Sequence, residues 1–408
     1  MKARKILFWI HLVTGCLVGC VVLTMSITGV LLAYERQILS WVDRDRRPAP
    51  PAPGVPRLPI EAMLSQVISE RSGTLTAVTV HSDAAAAAEV SFGREHVVLV
   101  DPYSGRILGE SSAAARAFFQ RVENWHRWLG ANDEHRAGGR AVTGACNLGF
   151  LLLVISGPFL WLPRRWSPQS FRAVAWFRGG LSGRARDFNW HNVIGIWCAA
   201  PLFVIVFSGV VMSYSWANDL LYRLTGSEPP SQGTGPRSNG DSRQAPRGAR
   251  KIPDTSGQSR EAARQLPAHL DIPWTRAETL VPNWRSIVLR LPPSGRGPVT
   301  FMIDTGNSGS PNLRSQLTLD GRTGDVIRWE PFSSYSKGRR IRSWLRFLHT
   351  GEAGGLAGET VAAIATAGAA MLVFTGICLA LRRMWRYKER LRSDAEPAAQ
   401  DRTLAASR

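Results

Sequence analysis

Cysteine is scarce in this chain of 408 residues, with five thiols in all: Cys16, Cys20, Cys146, Cys198 and Cys378. Each lies inside an apolar run, so a disulfide framework in an oxidising compartment is not expected. Acidic residues are also few. Asp and Glu number 31 against 50 Lys and Arg, a formal net charge of +19. No helix-turn-helix, zinc or RNP pattern accompanies that charge, which argues against a nucleic-acid partner. No Gly-x-Gly-x-x-Gly opens a helix after a strand, and no polar segment on the expected inner side is long enough for a nicotinamide or flavin domain. The first apolar run has no small-residue cleavage site behind it, so it reads as a retained span.

What the chain does have is four apolar runs of membrane-spanning length, 6–34, 142–162, 191–214 and 356–381, each near the roughly 20 residues that a spanning helix needs. Pro158 and Pro201 fall within spans, where neighbouring helices accommodate them. Lys2, Arg4 and Lys5 precede the first run. Six arginines, among them Arg164, Arg165 and Arg186, fill the loop between the second and third, and Arg382, Arg383 and Arg386 follow the fourth. By the positive-inside rule these segments share the inner face. Both termini are then cytoplasmic, and the long loops 36–140 and 216–350 face the periplasm of a bacterial inner membrane. The expected divisions are span one in 1–40, a first periplasmic unit in 41–140, span two in 141–163, a basic loop in 164–188, span three in 189–216, a disordered linker in 217–265, a second unit in 266–350, span four in 351–382 and a tail in 383–408.

Residues 48–59 read as a stiff Pro-rich linker. A helix follows over 60–70, with strands over 75–80 and 96–100 and a turn at Asp101-Pro102-Tyr103-Ser104-Gly105. The second loop opens on a Ser, Gly, Pro and Arg stretch, 226–265, with a disordered composition. Strands over 286–291, 299–303 and 316–319 come next, then a matching turn, Asp320-Gly321-Arg322-Thr323-Gly324. The order of features in the first half recurs in the second. The expected fold is therefore a mainly α membrane protein, a four-helix bundle built from a parallel internal repeat, carrying two small periplasmic α+β units. The Ser-Gly and Thr-Gly pairs in the spans suit close helix packing.

Of eight histidines, His81, His96, His135 and His269 sit in polar segments and read as surface residues. The other four are placed by the repeat: His11 and His191 near the inner face, His126 and His349 just before spans that start at the outer face. Ionisable residues in a bundle are costly and point to function. Two imidazoles facing across a bundle suit the axial positions of a haem iron, one haem at each level. Trp9, Trp125, Trp128, Trp190 and Phe347 lie beside these positions, as candidates to line a porphyrin. Without Cys-x-x-Cys-His a haem could not be attached covalently in the c-type way. Zinc would be short of ligands at two histidines per level, Glu352 and Asp187 being the nearest carboxylates. His135 lies closer to span two than His126 and competes with it as the outer ligand of the first half.

The Trp9-Ile10-His11 segment, the Leu348-His349-Thr350-Gly351-Glu352 segment, the Thr-Gly or Ser-Gly in each span and the Trp161-Leu162-Pro163-Arg164-Arg165 end of span two resemble the PepSY-associated transmembrane family. Within it they are similar to siderophore-linked inner-membrane reductases of the FoxB-like and PiuB-like kind. The resemblance implies PepSY-type periplasmic units, two haem b groups on His11, His126, His191 and His349, and reduction of ferric siderophores to release ferrous iron. The electron donor, a quinol or a separate reductase, is left open. Two other readings remain: a non-catalytic membrane adaptor that binds a periplasmic partner, and a transporter of iron chelates.

Overall fold

A computed structural model describes residues 2–49, 51–52, 54–93, 96–163, 167–229, 269–292, 297–306 and 309–406. Arg164, Arg165 and most of the 226–265 linker lie outside the described residues, as do the side chains beyond residue 387. The four apolar runs are helices: α1 (Lys2–Ala33), α5 (Arg136–Trp161), α7 (Gly183–Ser213) and α11 (Gly355–Ala406). Each is long and apolar enough to cross a membrane. Around the bundle the order is α1, α5, α7, α11, so α1 stands diagonally opposite α7 and α5 opposite α11. Large apolar side chains such as Leu17, Phe159, Trp197 and Ile364 point outward and exposed, as lipid-facing surfaces require. Small residues fill the inside. Gly19 meets Val373 and Ile377, and Gly368 lies against Cys198, close approaches that replace the hydrophobic driving force missing in lipid.

Beyond the bundle the expectation of two separate small units is corrected. Strands β1 (Ala77–His81), β2 (Ala88–Phe92), β3 (His96–Val100), β4 (Ile107–Glu110), β5 (Ser286–Arg290), β6 (Val299–Asp304), β7 (Arg314–Leu319) and β8 (Val326–Pro331) form one antiparallel sheet, ordered β4-β3-β2-β1-β5-β6-β7-β8. The seam is β1 against β5, from Ala77 opposite Arg290 to His81 opposite Ser286. Alternation sends Val78, Val80, Ile287 and Leu289 to one face. Helices α3 (Ile60–Glu70) and α9 (Asp271–Leu280) cover that face with Met63, Leu64, Val67, Leu270 and Trp274, closing a single core. Paired edges are why the units fuse: alone, each four-stranded sheet would leave β1 or β5 as an open apolar edge. Strand β2 escaped the sequence reading because it follows a run of alanines, poor strand formers.

Two helices join sheet to bundle. They are α4 (Ala113–Trp128) and α10 (Lys337–Thr350), capped by Ser112 and Ser336, whose hydroxyls accept from Ala115 N and Arg339 N. The first turn of the short helix at Glu35–Val42 is tied to α11 by Glu359, fully buried, which accepts from Arg36 and Gln37. Asp43, in the turn after the short helix α2 (Glu35–Val42), accepts from Ser112 N at 3.1 Å at the head of α4. Three further boundaries differ from expectation. The basic loop contains a short helix, α6 (Pro168–Ala175), the linker expected from residue 217 instead starts after α8 (Ser215–Leu224), and span four continues as helix into the tail.

The junction of α10 with α11 turns on Gly351, at φ +79°, where an added Cβ would meet the backbone of Gly358 and Glu359 at 2.6–2.8 Å. Gly351→Ala is expected to cost about 3 kcal/mol or more. Gly93→Ala, at φ +87° with open space around it, should cost about 1 kcal/mol. Thermal or denaturant unfolding in detergent compares the two.

Candidate functional site

Four imidazoles enter the bundle, and each is seated the same way. His11 on α1 places Nδ1 2.7 Å from Ser156 Oγ on α5, and His191 on α7 places Nδ1 2.9 Å from Thr375 Oγ1 on α11. At the sheet side, His126 on α4 reaches Thr28 Oγ1 on α1 at 3.0 Å, and His349 on α10 reaches Ser208 Oγ on α7 at 3.1 Å. Every one of these hydroxyls is buried. Each belongs to a Ser-Gly or Thr-Gly pair, and the imidazole edge lies over the glycine. Cε1 is 3.3 Å from a Cβ built on Gly29, 3.4 Å for Gly209 and Gly376, and 3.8 Å for Gly157. The glycines that looked like helix-packing residues are thus imidazole seats. Their pairing with a preceding hydroxyl was the sequence signal that went unread.

The hydrogen bonds fix which nitrogen carries the proton. Thr28 donates its hydroxyl proton to Thr24 O at 2.7 Å, Ser208 to Ile205 O at 2.8 Å and Thr375 to Met371 O at 2.8 Å, and Ser156 reaches Leu153 O at 3.3 Å. The hydroxyl oxygens are therefore left to accept from Nδ1–H. For the pair at the sheet side a second acceptor agrees. His126 Nδ1 lies 3.0 Å from Met25 O and His349 Nδ1 2.8 Å from Ile205 O, and a carbonyl can only accept. Nε2 then keeps its lone pair, the state in which histidine binds a metal.

The pairs form two layers. His126 and His349 face one another with ring centroids 6.5 Å apart and planes inclined by 68°. His11 and His191, on diagonally opposed helices, are close enough to interact electrostatically. From His11 to Thr28, and from His191 to Ser208, is seventeen residues, an axial rise of about 25 Å between layers. Among the described residues no three His, Cys, Asp or Glu side chains gather in a metal-binding group. An ion held by either pair would need its other ligands from a bound group.

The structure does not bring together everything the sequence suggested. His135 is exposed and bonded to Asn132 Oδ1 at 2.7 Å, which leaves the outer position of the first half to His126. His81, His96 and His269 lie apart from both layers. Trp9, Trp125 and Trp190 point outward, because a residue one or two positions from an inward histidine turns 100–200° away on a helix. Trp9 meets Arg383 at 4.9 Å and Trp190 meets Arg186 at 5.6 Å. Trp128 and Phe347 are buried, each beside an arginine. The carboxylates also have other partners. Asp187 pairs with Arg186 and Arg382 at 3.0 and 3.1 Å, and Glu352 lies 3.9 Å from Arg36 and from Arg314.

A family model described as the PepSY-associated TM region matches residues 8–383, all four spans and the sheet between them. The chain belongs to this family. It is a multi-pass membrane protein of the PepSY-associated transmembrane type. No curated protein matches it.

Burial pushes His126 down to about 4, with His349 adding to the effect, and burial also lowers His349. Both are neutral at pH 7. A folded-state value below the ordinary 6.5 means the unfolded chain takes up the proton first as pH falls. The ligand-free protein should therefore lose stability between about pH 6.5 and about pH 4, by up to about 3 kcal/mol from His126. Denaturation followed against pH checks this, and His126→Gln should flatten the curve. Separately, Gly376→Val crowds His191 and is expected to cost about 1–3 kcal/mol, whereas Gly138→Val, with nothing within 4 Å, should be near neutral by the same unfolding assay.

Proposed function

We propose that this protein is a di-haem electron carrier of the bacterial inner membrane that reduces ferric siderophores in the periplasm, a siderophore-linked reductase of the FoxB-like and PiuB-like kind. The observation that carries the reading is the two-layer set of imidazole pairs with Nδ1 bonded and Nε2 free. His126 and His349 would hold one haem b, and His11 and His191 the other. The fit is favourable at the outer layer. Two metal–nitrogen bonds of about 2 Å with a ring radius of about 1 Å on either side need roughly 6 Å between centroids, against 6.5 Å found. A porphyrin also supplies the four ligands that the protein does not.

When bound, each haem contributes a one-electron ferric/ferrous couple. The rest of the work falls to the chain. Ser156, Thr375, Thr28 and Ser208 hold the imidazoles in one orientation and one tautomer, so little rearranges as charge changes. Two histidines per layer leave no open position for oxygen, which suits outer-sphere transfer. Layers about 25 Å apart would set one centre near each face of a hydrocarbon core about 30 Å thick. The ferric siderophore is substrate: one-electron reduction gives ferrous iron, which its oxygen-rich chelators hold far less tightly. The donor on the inner side is a quinol or a separate reductase.

The basic residues at one end of the bundle, Arg4, Lys5, Arg178, Arg184, Arg382 and Arg383, support a reading with that end in the cytoplasm and the sheet in the periplasm. The halves, with the same order of elements and the same four histidine seats, are read as an internal repeat whose two-fold axis runs along the membrane normal.

Purified from haem-replete cells, the protein should show a Soret band and sharp α-bands on dithionite reduction, at two haems per chain. His191→Ala and His349→Ala should each lose about half the haem. Reoxidation of the reduced protein by a ferric siderophore should follow. A colourless wild type, or full haem in all four single histidine variants, would sink the assignment.

A further inference from the structure

On the face of α10 that carries His349, residues 342, 346 and 349 follow one another at helical spacing. Arg342 and Arg346 both act electrostatically on the imidazole. Their neighbours among the arginines are ion-paired: Arg36 with Glu359, Arg314 with Asp304 at 3.0 Å and Arg339 with Glu330 at 2.6 Å. Among the described residues neither Arg342 nor Arg346 makes an ion pair. Arg342 is half-buried and uses Nε on Asn218 Oδ1 at 3.1 Å, which leaves its two terminal nitrogens. Arg346 lies over the Phe347 ring at 5.2 Å, with Glu352 as its attracting charge. Loss of water pulls Arg342 below the ordinary arginine range, whereas Arg346 is exposed.

The first half has no such feature. The positions matching Arg342 and Arg346, at the same spacing before His126, are Phe119 and Glu123, and Glu123 pairs with Arg127 at 2.9 Å. At the other end of the bundle, the charge one turn from His191 is the buried carboxylate of Asp187. That carboxylate is already paired with Arg186 and Arg382. Two adjacent guanidiniums that make no ion pair among the described residues, on the helix face that carries His349, are suited to planar bidentate anions.

We propose that Arg342 and Arg346 form a carboxylate-binding site beside His349, taking the propionate groups of the outer haem. This rests on the haem reading above. The shared chemistry, a carboxylate, also occurs on anionic ferric chelates, so the test separates the two sources. Guanidiniums paired with the propionates would offset their negative charge and so favour the ferrous state of an iron held there.

The test uses the full chain in detergent, as wild type, an Arg342→Gln/Arg346→Gln double variant and an Arg342→Lys/Arg346→Lys double variant. Haem per chain, the two midpoint potentials by spectroelectrochemical titration, and the affinity for ferric citrate are measured beside a thermal midpoint. With haem propionates as the ligand, the Gln variant loses one of two haems on dialysis, or keeps it with its potential shifted downward, while the other potential stays fixed. The Lys variant retains most of the wild-type potential. With the chelate as the source, haem and potentials are unchanged and ferric citrate binds at least tenfold more weakly to the Gln variant. A folded Gln variant equal to wild type in haem, both potentials and citrate affinity overturns the site. A misfolded Gln variant shifts the decision to the Lys variant, where unaltered haem retention supports a charge-based site and complete haem loss overturns it. A wild type without haem overturns the haem reading itself, and the arginine site is then decided by the ferric-citrate comparison alone.

Discussion

A buried imidazole needs a partner for its N–H, and in this protein each of four finds it in a hydroxyl on a neighbouring helix. That one requirement accounts for much of the interior. The hydroxyl has to come from Ser or Thr, whose own proton is turned back to a carbonyl three or four residues earlier. The next residue has to be glycine, because the imidazole edge lies where a side chain would begin. The helix that presents the seat then has to pass close to the helix that presents the ring. An apolar bundle in lipid has little hydrophobic reason to choose one packing over another. Four polar contacts that would otherwise be left unsatisfied in hydrocarbon give it one.

The sheet contributes through the ends of the bundle. Its seam, β1 against β5, comes from opposite halves of the chain, and so fixes the distance between the helices that follow each four-stranded unit. Those helices are α4 and α10, which carry His126 and His349. Two flexible units would leave the outer imidazoles to meet by chance. One continuous sheet, with a common core of Val78, Ile287, Met63 and Trp274, holds their supports in a single frame. The contacts at Asp43 and Glu359 tie that frame to α1 and α11.

The likeness of the two halves is close at the four histidine seats and loose elsewhere. The four seats repeat nearly atom for atom, whereas Phe119 and Glu123 stand where the other half has Arg342 and Arg346.

Much was legible in the chain alone. Twenty-residue apolar runs and the arginines at their ends define spans whatever their neighbours do, because the bilayer sets their length and the backbone must be satisfied within each helix. The helix at 60–70, most strands and the two Asp-to-Gly turns followed from local periodicity and turn chemistry, and the repeat singled out His11, His126, His191 and His349. Three features needed the tertiary structure: the fusion of two sheets at β1 and β5, the choice of His126 over His135, and the role of Thr28, Ser156, Ser208 and Thr375. Each rests on contacts between residues 98 to 213 positions apart. A hydroxyl next to a glycine reads the same in sequence whether it packs a helix or seats a ring, and only the arrival of the distant side chain decides which.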